Sequence, residues 1–271
     1  MTSPVRPLRS RLLLPETLPF SDARERRWFY NYRGAGGPWT PANLSGLAFW
    51  GSGDSATVDG SNNLTAWPSF IGSISGAPGT AAPTVVTVSG KRWLRFNGTS
   101  QFVTLDALAA LLGGTDTPYT VAFSLKLAST ATTMVYWSAG SSASSSPYDW
   151  RGASGTGVWT HQRRDDAISA SPIINGTAPT NTAAHVVVDT FNGVASSHYV
   201  NNVPDWENLP CDLGALTLDR AAIGCRRRTT NDFFLGADMR QAVLVPGRAV
   251  SAAERGQLTA YLAADAGVTL P

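Results

Sequence analysis

Lysine is almost missing from this chain: Lys91 and Lys126 are the two in 271 residues, while arginine is plentiful. That imbalance reads as genome composition more than binding chemistry. Charge of any kind is scarce, at 15% of residues and a net +2. No body-wide field is available to steer nucleic acid, and specific nucleic-acid binding is not expected. Cysteine is nearly absent too. Cys211 and Cys225 fit neither a metal-ligand spacing nor a Cys-x-x-Cys redox pattern, leaving open a cross-strand bridge or two reduced, buried thiols. The three histidines, His161, His185 and His198, lack a zinc-type paired spacing. Long apolar runs are missing as well. Leu12–Leu14 is too short for a signal-peptide core and is closed by Pro15. Nothing approaches the roughly 20 apolar residues of a membrane span. Neither general secretion nor membrane partnership is expected.

What is present is core material and turns. Hydrophobic residues make up 43% and aromatics 10%, with 26 glycines and 17 prolines. That balance suits many short strands around a sizeable core, in one domain.

Residues 1–42 differ from the rest. Seven arginines (Arg6, Arg9, Arg11, Arg24, Arg26, Arg27, Arg33) stand against Glu16, Asp22 and Glu25 in residues 1–33, a local +4. Pro4, Pro7, Pro15, Pro19, Pro38 and Pro41 hold most of the segment extended. Leu13, Phe20, Trp28, Phe29 and Tyr30 make it too greasy for a solvated tail. Such an arm packs on its own domain or inserts into a neighbour, with a short helix expected between Ser21 and Tyr32. The docking residues are read as Arg6, Arg9, Arg11, Leu13, Phe20, Trp28, Phe29 and Tyr30.

From residue 43 onward the signals are β. Strands are expected at Gly46–Trp50, Leu64–Trp67, Val85–Val88, Trp93–Phe96, Phe102–Leu105, Tyr119–Leu127, Met134–Trp137, Trp159–Gln162, His185–Phe191, Ser197–Val203, Ala215–Leu218, Ala221–Gly224 and Gln241–Val245. Tyr119–Leu127 alternates most cleanly and reads as half-buried. Asp106 is expected to cap a short helix reaching Leu112, and Ser138–Ser146 to be a Ser/Gly loop. Ser251 and Glu254 form a capping box, Leu258, Tyr261 and Leu262 an apolar stripe, and Gly267 a left-handed stop. Many short strands with helices confined to connections argue for an all-β, antiparallel two-sheet sandwich over residues 43–271, preceded by the extended arm.

Leu44-Ser-Gly-Leu-Ala-Phe-Trp50, Leu94-Arg-Phe-Asn-Gly98 with Phe102-Val103, Tyr199-Val-Asn-Asn202, Ala222-Ile-Gly224 and Ser251-x-x-Glu-Arg255 follow one another in order. The series resembles laminin-G-like (concanavalin A-like lectin/glucanase) jelly rolls, of the kind found in tailed-bacteriophage structural proteins. The resemblance implies a jelly-roll topology with a carboxyl-terminal helix. It also allows a structural calcium at Asp54 or Asp59; no other cofactor is expected.

Catalytic signals are thin. The Glu-x-Asp-x-x-Glu strand of glucanases of this fold is absent. Asp205 and Glu207 would share a face if extended, but Pro204 and Pro210 indicate a loop. Gly152-Ala-Ser154-Gly155 lacks the last glycine of a nucleophile elbow. Exposed aromatic faces stack on sugar rings, and the candidates for saccharide binding are Trp137, Tyr148, Trp150 and Trp159, with Asp149 and Arg151 as polar partners. Trp50, Trp67 and Trp93 are assigned to the core, which also stands as the plainer role for the others. Arg226–Arg228 with Arg163–Arg164 read as a solvated turn or a basic rim.

The function expected from all this is non-enzymatic. It is a virion structural protein of a tailed phage (capsid decoration, cement or head fibre), assembled in the host cytoplasm and docked on capsid or other virion proteins through the arm. A homo-oligomer, by analogy a trimer, is expected. The alternative is a carbohydrate-binding module of a tail fibre or baseplate touching host polysaccharide.

Overall fold

Tyr119–Leu127 lies at the middle of one of two sheets in a computed structural model described over residues 38–167, 173–211 and 214–271. Two antiparallel sheets face each other. The first runs Val203–Leu209, Ser196–Val200, Ala184–Phe191, Tyr119–Leu127, Gly236–Pro246, Lys91–Asn97, Thr84–Val88. The strand Gly236–Pro246 is long enough for two partners on one edge: its first part pairs with Lys91–Asn97 and its later part with Phe49–Ser52. A register shift between Met239 and Gln241 separates the two pairings. The second sheet runs Ile174–Pro179, Val158–Arg164, Tyr148–Ala153, Met134–Gly140, Arg220–Ile223, Val103–Thr104, Ser75–Pro78, Leu64–Pro68, Thr57–Val58.

Strand alternation fills the space between the layers. Tyr119, Val121, Phe123, Leu125 and Leu127 point inward to meet Trp137, Tyr136, Trp159, Ile223 and Trp67 in one continuous core. Phe49 meets Trp67 edge to face at 5.5 Å, and Gly51 is pressed against both rings, so a side chain there would collide.

The outer face of the first sheet is covered as well. The helix Ala252–Ala266 packs on Ala184–Phe191 and Tyr119–Leu127, burying Leu258 and Leu262 completely. At roughly 1.5–3 kcal/mol per side chain, that burial is what keeps the helix on the sheet. For this reason Tyr119–Leu127 is buried on both faces, Lys126 excepted, where its alternation predicts a half-buried strand. The helix starts on the expected capping box, Ser251 accepting from the Glu254 amide and Glu254 from the Ser251 amide, and stops at Gly267 with φ 72°. Glu254 also takes two hydrogen bonds from Arg248, at 2.8 Å each, and these with the Ser251 amide hold its carboxyl at about 2. Ser251→Ala should lower unfolding stability by about 1 kcal/mol, read by urea titration.

Several sequence expectations need correction. Val203–Leu209 is a strand, not a loop; as the sheet's edge it tolerates Pro204. Its two carboxylates are engaged separately: Asp205 accepts from the Thr177 and Ala178 amides and Glu207 from the Tyr199 hydroxyl. Ser138–Gly140 continues a strand. Asp106 begins a short 3-10 turn but takes the Ala221 amide and Arg227 rather than its own helix end. Tyr148–Ala153 and Ile174–Pro179 are strands without an expected counterpart. Both cysteines are reduced and buried, and burial pushes the Cys225 thiol up to about 12. The arm residues Arg6, Arg9, Arg11, Leu13, Phe20, Trp28, Phe29 and Tyr30, with the helix expected around them, lie outside the described residues.

Candidate functional site

The strand Tyr148–Ala153 reads Tyr-Asp-Trp-Arg-Gly-Ala, and its period of two divides polar from aromatic in an unusual sense. Asp149 and Arg151 point into the sandwich; Tyr148 and Trp150 point out, forming with Val135 a small cluster separate from the main core. The neighbouring strand repeats the division. Trp159, His161 and Arg163 face inward, while Gln162 and Arg164 lie opposite Trp150 and Tyr148.

Inside, these side chains meet Tyr119, Asp189 and His198 of the first sheet and Tyr136 of the second. The Tyr119 hydroxyl donates to Asp149 Oδ2 at 2.6 Å and accepts from Arg151 Nη2 at 2.7 Å. Arg151 also pairs with Asp149 Oδ1, and its Nε lies 3.4 Å from Asp189 Oδ1. Arg163 Nε is 3.0 Å from Asp149 Oδ2; its Nη1 donates to Asp116 and to the Cys211 carbonyl, at 2.8 Å each, and its guanidinium lies 3.7 Å from the centre of the Phe191 ring. Asp189 accepts from Tyr136 at 2.8 Å and pairs with His198 Nδ1 at 2.8 Å. Trp206 stacks on both His161 and His198, with ring centres 5.9 Å away in each case. Asp149, Arg151, His161, Arg163, Asp189 and His198 are all at most 2% exposed.

The electrostatics follow from this closure. Burial opposes charge on Asp149, but Arg151, a His161 hydrogen bond and Arg163 outweigh it and hold the carboxyl well below the usual range. Asp189 is lowered in the same way, burial being outweighed by His198 and Arg151. Burial pushes both phenols up, Arg151 opposing this at Tyr119 and Asp189 adding to it at Tyr136. Burial and the Arg151 charge bring His161 down to about 4, so it is neutral at pH 7. Near neutrality neither of these carboxyls has a proton to give. The cluster as folded ties the two sheets together through buried carboxylates held between Arg151, Arg163 and His198.

Outside the second sheet lies a different arrangement. Phe233 is 38% exposed and sits at φ 51°, a left-handed backbone that bulky residues rarely adopt. Its carbonyl is fixed by the Val135 amide at 2.9 Å. Its ring lies 6.2 Å from that of Trp150, with the Arg226 guanidinium 4.3 Å from its centre. Arg226 also stands 5.5 Å from the Tyr148 ring and Arg228 5.9 Å from it; both arginines share Asp232. Among the described residues the buried Trp150 Nε1 has no hydrogen-bond acceptor. Strain of this kind costs about 1–3 kcal/mol and gathers at ligand-contacting sites.

The five saccharide candidates are therefore not one constellation. Trp137 and Trp159 are fully buried core, Asp149 belongs to the internal cluster, and Tyr148 and Trp150 lie on the other side of the sheet. Arg163 is inside the sandwich and shares no rim with Arg226–Arg228, which pair with Asp232 and Asp106. For calcium, Asp54 gives its carboxylate to Arg240 and Asp59 closes its own turn through the Ser61 and Asn63 amides. Among the described residues no group of three or more His, Cys, Asp or Glu side chains is placed to hold a metal ion. His161 went unrecognised as a site residue and Arg163 reads from the sequence only as part of a turn or rim; Asp189, His198 and Phe233 were missed as well. Charges at period two between aromatics, in Trp159-Thr-His-Gln-Arg163, are the signal for the first two; nothing in the sequence marks Phe233.

No protein-family model matches the sequence, and no curated protein is significantly similar to it. Solved structures are similar in fold. Trypanosoma rangeli sialidase in complex with sialic acid matches at TM-score 0.60 and 14% identity over 90% of this chain. A mutant of that sialidase displaying trans-sialidase activity matches at TM-score 0.54 and 14% identity over 83% of the chain and 34% of its own length. The NanB sialidase from Streptococcus pneumoniae matches at TM-score 0.51 and 13% identity over 60% of the chain and 27% of its own length. The chain spans only 38% of the length of the first. At this identity the likeness is one of fold. The solved structures that share it are sialidases and not phage virion proteins, and this overturns two expectations: the non-enzymatic phage virion component, with its tail-fibre alternative, and the statement that the chain is no enzyme.

Proposed function

We propose that this chain is a glycan-recognising sandwich, of the laminin-G-like jelly-roll kind, within a carbohydrate-processing protein of sialidase type. The sugar rests on the outer aromatic patch. The exposed ring of Phe233 packs against a pyranose, Trp150 backs it from beneath, and Arg226 and Arg228 supply charged donors for an acidic substituent. The observation that carries this is the exposed, strained Phe233 stacked on Arg226 above a tryptophan whose N–H lacks an acceptor. The fold likeness to sialidases supports the choice of sugar.

Glycan-array binding by the pure chain tests it. Sialylated glycans should be retained, and Phe233→Ala should weaken binding at least roughly tenfold, about 1.4 kcal/mol, with little change in Tm. Retention unchanged in Phe233→Ala and in Trp150→Ala would remove the patch from the account.

A second reading has one specific observation in its favour. The Tyr119 hydroxyl donates to a carboxylate at 2.6 Å, the kind of pairing that activates a hydroxyl nucleophile, and sialidases use a tyrosine nucleophile. Turnover of a fluorogenic sialoside that is lost in Tyr119→Phe would establish hydrolysis at that cluster; its buried phenol and closed surroundings favour the first reading.

A further inference from the structure

The two lysines of the chain come together on the far side of the molecule from the aromatic patch. Alternation along Lys91–Asn97 sends Leu94 and Phe96 into the core and leaves Lys91 and Trp93 on the outer face, beside the end of the final helix. There Lys91, Trp93, Lys126, Val88, Ala184 and Asp265 line a groove of about 300 Å³, the lower end of the range for small-molecule sites. Lys91 donates to the Asp265 carbonyl and lies 3.6 Å from its carboxylate. That carboxylate is already held by Arg240, through Nε at 2.7 Å and Nη2 at 3.0 Å. Among the described residues Lys126 has no acidic partner within ion-pair distance. Asp238, directly across from it in the sheet, gives both oxygens to Arg95 at 2.7 and 2.9 Å. Trp93 is 6% exposed, and its indole Nε1 is buried without an acceptor among the described residues.

The Trp93 indole donor, buried without an acceptor among the described residues, calls for one from outside the chain, and the exposed Lys126 ammonium lining the same groove supplies a charge to hold it. We propose that this groove binds a small monocarboxylate, the acid group of an acidic sugar, between Lys126 and Trp93. The lining charges, Lys91 and Lys126 against Asp265, sum to one positive, which suits a single negative charge better than a dianion. The carbonyls at the helix end add negative potential, a cost to any anion that rises with its charge and so falls harder on a dianion than on a monocarboxylate. Val88, Ala184 and the Trp93 ring give the body of the ligand an apolar wall. That the carboxylate belongs to a sugar rests on the glycan reading above; the carboxylate site does not.

Titration of 15N-labelled protein with N-acetylneuraminate, its neutral methyl ester, lactate and inorganic phosphate tests this, following the Trp93 indole N–H resonance assigned with Trp93→Phe. N-acetylneuraminate should move that resonance saturably, the methyl ester should not, and Lys126→Gln should weaken the response at least roughly tenfold, the worth of one charge-assisted hydrogen bond. Lactate binding as well as N-acetylneuraminate would keep the carboxylate site and remove the sugar. Equal binding of the methyl ester, an unchanged Lys126→Gln, a preference for phosphate, or a Trp93 resonance that stays still while glycans bind the aromatic patch would each overturn this site and leave the patch standing.

Discussion

Arg151→Met is expected to destabilise the fold by about 3–5 kcal/mol in urea unfolding at pH 7, the cost of leaving buried charge short of its partner. Arg151 touches both carboxylates of the internal cluster and the hydroxyl of Tyr119, and it is 1% exposed. Methionine fills similar space without charge, so the loss measures electrostatics more than packing. Asp149 retains Arg163 and Tyr119, and Asp189 retains His198 and Tyr136, but the two negative charges then face each other across the core with less to offset them. Removing both members of the tightest pair should cost less than removing one. Arg151→Met/Asp149→Asn is expected to recover at least 1 kcal/mol of the single-variant loss, because the orphaned carboxylate is gone. A single-variant loss below about 1 kcal/mol would mean that solvent reaches the cluster.

Much of the framework was legible because it rests on period-two burial. Tyr119–Leu127 alternates apolar with small or polar residues, and its ends match the observed strand. The capping box at Ser251 and Glu254 was equally readable, since it depends on local backbone donors alone. The opposite case is Tyr148–Ala153. There alternation still holds, but the aromatic phase faces outward and the charged phase inward, so hydrophobicity alone misassigns the faces. Burial of Asp149 and Arg151 is made tolerable by their own pairing, by His161 and Arg163 on the adjacent strand, and by Tyr119 and Asp189 on the other sheet, which lie some 30 to 40 residues away along the chain. The edge strand Val203–Leu209 was hidden by its prolines, whose missing N–H matters little on an edge.

The aromatic patch was half legible. Tyr148 and Trp150 stood out as aromatics beside a Ser/Gly loop, yet Trp137 and Trp159 look the same in sequence and are core. What distinguishes them is the face of the sheet, set for Trp137 by the bulge after Val135 and for Trp159 by the phase of its own strand. Phe233 enters through tertiary fixing of its carbonyl by Val135, which sequence reading cannot supply.

Stability should also fall in two acid stages, the first of them owed to His161. Its folded pKa, about 4, lies below the unfolded value of 6.5, so between those pH values the unfolded chain binds the extra proton. The contribution is therefore complete above about pH 6.5 and is lost as pH falls toward 4. Its size is roughly 3 kcal/mol, at 1.36 kcal/mol per pH unit. Asp149 and Asp189 act in the same direction but lower down. Their depressed values keep their contribution intact above the unfolded carboxylate range, near 3.8, and release it only below. At 3.4 Å from Asp149 Oδ1, His161 Nε2 has an anion to gain from, but burial and the Arg151 charge outweigh that gain. His161→Gln should then remove the first stage and leave the second. Unfolding free energies at pH 7.5 and 4.5 should differ by about 3 kcal/mol more in the parent than in the variant. His185, also lowered by burial, adds a slope common to both proteins and cancels in the comparison. Equal losses in the two proteins would show that His161 is protonated in the folded state, and that Asp149 keeps a third cation beside its two arginines.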